Sequence, residues 1–143
     1  MTTFTIQRLI PWSEFNEYEG QWEGIANNHQ LTVYVQMYSE NDWGLYTPGD
    51  QIDVRLWLER DGVVERLDKP AIPQLRQQQG INYEVIGQVM SVVGEQVQLD
   101  TIFPLCVDMD WPVRDLERFP TFKVGDWLKV KGILRLSLDD EEE

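Results

Sequence analysis

Cysteine is almost missing from this chain: Cys106 is the only one in 143 residues. No disulfide can close within the chain, and no structural zinc site of the Cys/His kind can be assembled. Histidine is as scarce, with His29 alone. Any Ser-His-Asp or Cys-His arrangement would have to run through it, with Ser39 or Cys106 as nucleophile. Neither sits in a Gly-x-Ser-x-Gly setting. His29 lies in Asn27-Asn28-His29-Gln30, residues that tolerate tight turns, and reads as a turn residue. Cys106 lies inside an apolar run and reads as a small core residue.

Phosphate and metal motifs are lacking too. There is no Gly-x-Gly-x-x-Gly, no Walker loop and no EF-hand loop. Asp108-Met109-Asp110 matches an Asp-x-Asp pattern, but chance supplies about one such pair in a chain this acidic. Asp110 reads as a helix cap. Carboxylate pairs are plentiful, and no spacing singles one out for glycoside hydrolysis. The expectation is therefore a non-enzyme with no catalytic residues, no metal and no cofactor.

Long hydrophobic runs are also absent. The longest, Ile102-Phe103-Pro104-Leu105-Cys106-Val107, is far below the roughly 18 residues a bilayer span needs. The opening MTTFTIQRLI has no basic segment followed by an apolar stretch, so no export signal is read. A cytoplasmic protein with no membrane contact is expected.

The last scarcity is of positive charge. Net charge is −13, and from Leu9 to Val54 there is no Lys or Arg. Glu14, Glu17, Glu19, Glu23, Glu40, Asp42, Asp50 and Asp53 lie in that span. Such a field repels phosphate backbones and attracts cationic partners, so no nucleic acid is expected and a basic protein partner is. The run Asp139-Asp140-Glu141-Glu142-Glu143 reads as a solvated acidic tail, leaving residues 1–138 as one domain.

What is present is a globular composition, 42% hydrophobic with six Trp, enough for a core without staples. Period-two alternation predicts strands over Phe4–Ile10, Gln21–Ala26, Leu31–Tyr38, Gln51–Arg60, Val63–Leu67, Tyr83–Val93, Gln96–Phe103 and Trp127–Leu138. Hairpins are expected across Asn27-Asn28-His29, Asp61-Gly62 and Gly94-Glu95. Three short helices are predicted: Ser13–Glu19, Ile72–Gly80 with proline near its start and glycine at its end, and Trp111–Arg118. Strand outweighs helix, and the fold class is all-β.

Gly49-Asp50-Gln51-Ile52-Asp53-Val54-Arg55 recurs as Gly125-Asp126-Trp127-Leu128-Lys129-Val130-Lys131. Glycine permits a tight turn, Asp bonds nearby amides, and an alternating strand begins. The stretch from Tyr83 to Leu138, with Gly87, Gly94 and Gly132 available for bends, resembles the layout of an OB-fold. The expected architecture is a small closed or partly open Greek-key barrel, OB-like in its C-terminal half. The repeat also allows a barrel built from two related halves.

The most unusual segment is Trp12-Ser13-Glu14-Phe15-Asn16-Glu17-Tyr18-Glu19-Gly20-Gln21-Trp22-Glu23, where aromatic and acidic residues interleave. Exposed rings beside carboxylates suit Lys and Arg of a partner; buried, the same rings form a helical stripe on the domain. Candidate partner-binding residues are Trp12, Glu14, Glu17, Tyr18, Glu19, Trp22 and Glu23, joined by Asp42 and Trp43 from Asn41-Asp42-Trp43-Gly44. The functional expectation is a binding module for a basic protein. Its alternatives are an inhibitor or immunity-type protein covering a cationic active site, and a small-ligand barrel or carboxylate-based enzyme.

Overall fold

A computed structural model of the chain describes residues 2–12, 19–37, 40–61, 64–94, 96–108 and 122–137. They form strands β1 (Thr2–Pro11), β2 (Glu19–Ala26), β3 (His29–Gln36), β4 (Gln51–Arg60), β5 (Glu65–Leu67), β6 (Gln74–Gln79), β7 (Asn82–Val93), β8 (Gln96–Asp100), β9 (Pro104–Asp108) and β10 (Trp127–Ser137). One 3-10 helix covers Glu40–Leu45. The fold is all-β.

All ten strands belong to one sheet in the order β5-β10-β3-β2-β1-β4-β9-β8-β7-β6, with further pairings of β10 to β4 and to β7. Those extra pairings turn the sheet into a ring. One circuit runs β1-β2-β3-β10-β4 and back to β1; a second runs β7-β8-β9-β4-β10 and back to β7. Both use β4 and β10. Each is long enough to divide its length between neighbours: β10 pairs with β7 over Trp127–Ile133 and with β4 over Leu134–Ser137.

Alternation decides what faces inward. On β2 the inward set is Gly20, Trp22, Gly24 and Ala26, with Trp22 fully buried. Trp22 stacks on Phe4 at 6.2 Å and meets Tyr46 at 5.0 Å. The flanking glycines make room for these rings. A Cβ on Gly24 would lie 2.6 Å from the Phe4 ring, and one on Gly20 would lie 2.5 Å from Trp43. The core continues through Leu31, Val33, Leu56, Leu58, Leu99, Leu105, Leu128 and Leu134, all essentially inaccessible.

Several expected elements differ. The segment expected as a helix over Ile72–Gly80 is instead strand β6, antiparallel to β7. A helix there would need an apolar stripe, and Leu75 is the only apolar residue between Gln74 and Gln79. Gly80, at φ 57°, makes the hairpin turn with the same left-handed backbone that ends a helix. Across the expected Asp61-Gly62 hairpin, of which Gly62 and Val63 lie outside the described residues, β4 and β5 form no ladder among the described residues. Asp61 N–H instead donates to the Lys131 carbonyl at 2.8 Å, carrying β4 on along β10, while β5 pairs with the start of β10. The strand expected over Gln96–Phe103 stops at Asp100, and Pro104 opens a separate strand, β9. The helix expected over Trp111–Arg118 and the tail Asp139–Glu143 lie outside the described residues, as do Ser13–Tyr18 of the third helix; Glu19 of that segment begins β2. The hairpin at Asn27-Asn28 forms as expected, with φ of 50° and 65°, and joins β2 to β3.

A Cβ on Gly132 would sit 2.2 Å from the Glu59 carbonyl oxygen and 2.9 Å from the Arg60 Cα, backbone that no side-chain rotation can clear. Gly132→Ala should therefore destabilise the fold by about 2 kcal/mol. Gly44→Ala, where a Cβ meets nothing within 4 Å, should change stability by less than about 0.5 kcal/mol. Urea unfolding followed by tryptophan fluorescence measures both.

Candidate functional site

The outward positions of the ring carry a band of long side chains. Cross-strand register places Gln21 opposite Tyr34, Tyr34 beside Arg135, Arg135 opposite Trp57, and Trp57 beside Cys106. The band thus crosses β2, β3, β10, β4 and β9 on the face away from the core. All five side chains are half-buried.

Trp12 extends this band at the end of β1. Its N–H closes the segment by donating to the Glu19 carbonyl at 3.1 Å. Its ring packs on Tyr34 with centroids 5.4 Å apart, and its Nε1 donates to Gln21 Oε1 at 3.1 Å. The side chain is nevertheless 47% exposed. A ring held from two directions and still facing water is pre-organised for contact, because little rotamer freedom is left to lose on binding.

The Tyr34 hydroxyl donates to the Glu19 carboxylate. Burial, and then the bond to Glu19, push the Tyr34 phenol well above its usual range. Arg135 donates to Glu59 on the other side of the band. Glu23 lies 3.8 Å from Arg8 on the neighbouring strand. The surface therefore combines two carboxylates of the base-free stretch with an ordered aromatic pair.

The remaining expected site residues divide. Trp22 does not reach this surface: it sits on β2 at an inward position of the period-two alternation and is wholly buried, in a strand and not in a helical stripe. Trp43, a candidate partner-binding ring, is half-buried and packed against the core over Gly20. Asp42 lies in the 3-10 helix. Glu14, Glu17 and Tyr18 lie outside the described residues. The structure brings Trp12, Glu19 and Glu23 to one face. It adds Tyr34, Gln21, Arg135 and Trp57, which sequence reading missed. Their only signal was an outward place in an alternating strand; the strand order that makes them neighbours was not readable.

Elsewhere, His29 Nδ1 bonds the Asn27 carbonyl at 2.8 Å, the tautomer with the proton on Nδ1. Burial raises the Cys106 thiol pKa, which leaves less thiolate for reaction. Among the described residues no three His, Cys, Asp or Glu side chains gather into a metal-holding group, and no helix is long and apolar enough to cross a membrane. A shallow cleft of about 360 Å³ lies between the Asn27 turn and the β8–β9 connection, lined by Thr2, Thr3, Asn27, Asp100 and Phe103 among others. It presents hydroxyls, an amide and one carboxylate, and the Thr3 hydroxyl donates to Asp53 at 2.8 Å.

No family model matches the chain, and neither a curated protein nor a solved structure matches it.

The Tyr34 phenol is raised in the folded state, so its linkage has a definite sign. The stability it contributes is complete below the unfolded tyrosine pKa, about 10, and is lost as pH rises above that value toward the folded one. Tyr83 shifts in the same direction through burial. Unfolding free energy should therefore fall between about pH 10 and 12, and Tyr34→Phe should make that fall shallower without abolishing it. Urea titrations across the alkaline range would show it.

Proposed function

We propose that this chain is a non-enzymatic binding module that holds a basic protein partner on the outer face around Trp12. One observation carries the reading. In a stretch without Lys or Arg, the Trp12 ring is fixed by Tyr34 and Gln21, left half exposed, and set beside Glu19. An aromatic face attracts a Lys or Arg side chain by about 0.5–2 kcal/mol according to how far it is desolvated. Carboxylates around it add a field that steers a cationic surface into register. Trp, Tyr and Arg are also the residue types that dominate binding energy at protein interfaces.

A small ligand inside the ring is a weaker reading, because the inward positions are occupied by side chains such as Phe4, Trp22, Tyr83 and Leu128. The architecture behind this proposal is a small Greek-key barrel built from two related halves, OB-like in the C-terminal one. Its support is the connectivity: the meander β7-β8-β9 is closed by β10, antiparallel to β7, and by β4, parallel to β9. That circuit borrows β4 from the N-terminal half, so the OB-like layout is not complete within Tyr83–Leu138.

The test compares the wild-type chain with a variant carrying Trp12→Ala and Glu14, Glu17, Glu19 and Glu23 changed to Gln. The Glu19→Gln change keeps an acceptor for the Tyr34 hydroxyl, so the fold should survive. In affinity capture, the wild type should retain basic proteins at low salt and release them at high salt, and the variant should lose them at both. Identical recovery with the two baits would refute the reading.

A further inference from the structure

The turn that opens β4 and the turn that opens β10 share their backbone bonds and their Asp-to-amide bond. Gly49 and Gly125 stand at φ 99° and 100°. Asp50 Oδ2 accepts from Thr47 N–H at 2.9 Å, and Asp126 Oδ2 accepts from Lys123 N–H at 2.9 Å. Each turn then grips one residue of the first strand of its half. Gly49 donates to the Ile6 carbonyl at 2.7 Å and Ile6 donates to Asp50 at 2.9 Å. Gly125 donates to the Val89 carbonyl at 2.9 Å and Val89 donates to Asp126 at 2.8 Å.

The match extends past the turns. The β1–β2 ladder slips between Ile6 and Arg8, and the β7–β8 ladder slips between Val89 and Ser91, in each case just after the gripped residue. β3 runs parallel to β10, and β9 runs parallel to β4. So β1-β2-β3-turn-β4 and β7-β8-β9-turn-β10 are the same unit, and each lends its last strand to the other's circuit.

The seam between them is β4 against β10. An offset of 76 residues carries Gly49 to Gly125, Asp50 to Asp126 and Leu58 to Leu134. Leu58 and Leu134 face each other directly in the ladder. Equivalent residues that face one another mark a two-fold axis, and an interface built about such an axis is self-complementary. One step beyond stand Glu59 and Arg135, also equivalent, and joined by an ion pair.

We propose that the β4·β10 seam is a protein–protein surface between two equivalent half-units. The partner it fits is another half-unit of the same pattern, and Glu59–Arg135 makes it join unlike halves. Were two N-terminal halves to meet in the same register, with Leu58 opposite Leu58, Glu59 would lie diagonally across the axis from a second Glu59, as it now lies from Arg135; two C-terminal halves would set Arg135 against Arg135 in the same way. Like charges at the axis disfavour both. The seam is independent of the Trp12 surface and keeps this role if that surface binds nothing.

The test uses the whole chain with a protease site inserted between Lys69 and Ala71, in the exposed connection from β5 to β6. Cleaved while folded, the two pieces should stay together as a 1:1 complex in native mass spectrometry. They should re-form that complex after denaturation and dilution. In the same cleaved chain carrying Glu59→Gln and Arg135→Gln, pairs of like pieces should appear beside the unlike pair. Pieces that separate or fail to re-form the wild-type complex would overturn the proposal. So would a variant that still makes only the unlike pair.

Discussion

Everything in this fold depends on the antiparallel pairing of β4 with β10. β4 gives its first half to β1 and its second half to β10, while β10 gives its first half to β7 and its second to β4. Neither circuit closes without both strands. The seam is held chiefly by its ladder and by Leu58 and Leu134, which are fully buried and contribute on the order of 2 kcal/mol each. The Glu59–Arg135 pair is more than one-third exposed on both sides, where solvent screening limits such a pair to about 1 kcal/mol or less. Its consequence is for which strands meet, and much less for how firmly they hold.

Much of the strand content was legible because the core lies on one side of the sheet. A surface buried on one face imposes period two, and that pattern located most of β1, β2, β3, β4, β7 and β10 within a few residues of their ends. The misreadings share a cause. β6 has little apolar content to reveal its period, so Pro73 and Gly80 read as helix punctuation, although a hairpin uses the same left-handed glycine. β9 was hidden because Ile102–Val107 is apolar throughout and the break at Thr101–Phe103 is carried by backbone bonding rather than by turn residues. The partner of β5 was missed because pairing is a long-range property, and Asp61-Gly62 speaks only for its neighbours.

The candidate site was legible only in part, for a related reason. Composition pointed to the stretch that carries Trp12, Glu19 and Glu23, since acidic and aromatic residues without a base are visible in one dimension. Which rings reach solvent was not visible. Trp12 and Trp22 read alike, yet Trp22 sits between Gly20 and Gly24, and small residues on both sides of a Trp along one strand face are a mark of a ring packed inside. Tyr34 had no mark at all. Its contacts with Trp12, Glu19 and Arg135 come from the residue just past β1, from β2 and from β10, and none of those neighbours is near in sequence except through the ring.

Charge and shape divide the work of such a surface. Toward the C-terminus, cations meet carboxylates close at hand: Arg76, Lys129 and Lys131 surround Glu84, and Arg66 meets Asp126. These pairs cancel at short range and contribute little field beyond a Debye length of about 10 Å. The stretch from Leu9 to Val54 brings no cation of its own to its eight carboxylates; on β2, Glu23 meets Arg8 from β1, and Glu19 accepts from Tyr34. Under the proposed function, a net charge of −13 would draw a basic surface toward the molecule before contact. Steering of this kind raises the rate of encounter but does not hold a complex, because exposed charges exchange readily with salt. Residence requires a contact that excludes water, and the proposed binding assigns that part to the ordered, half-exposed ring of Trp12.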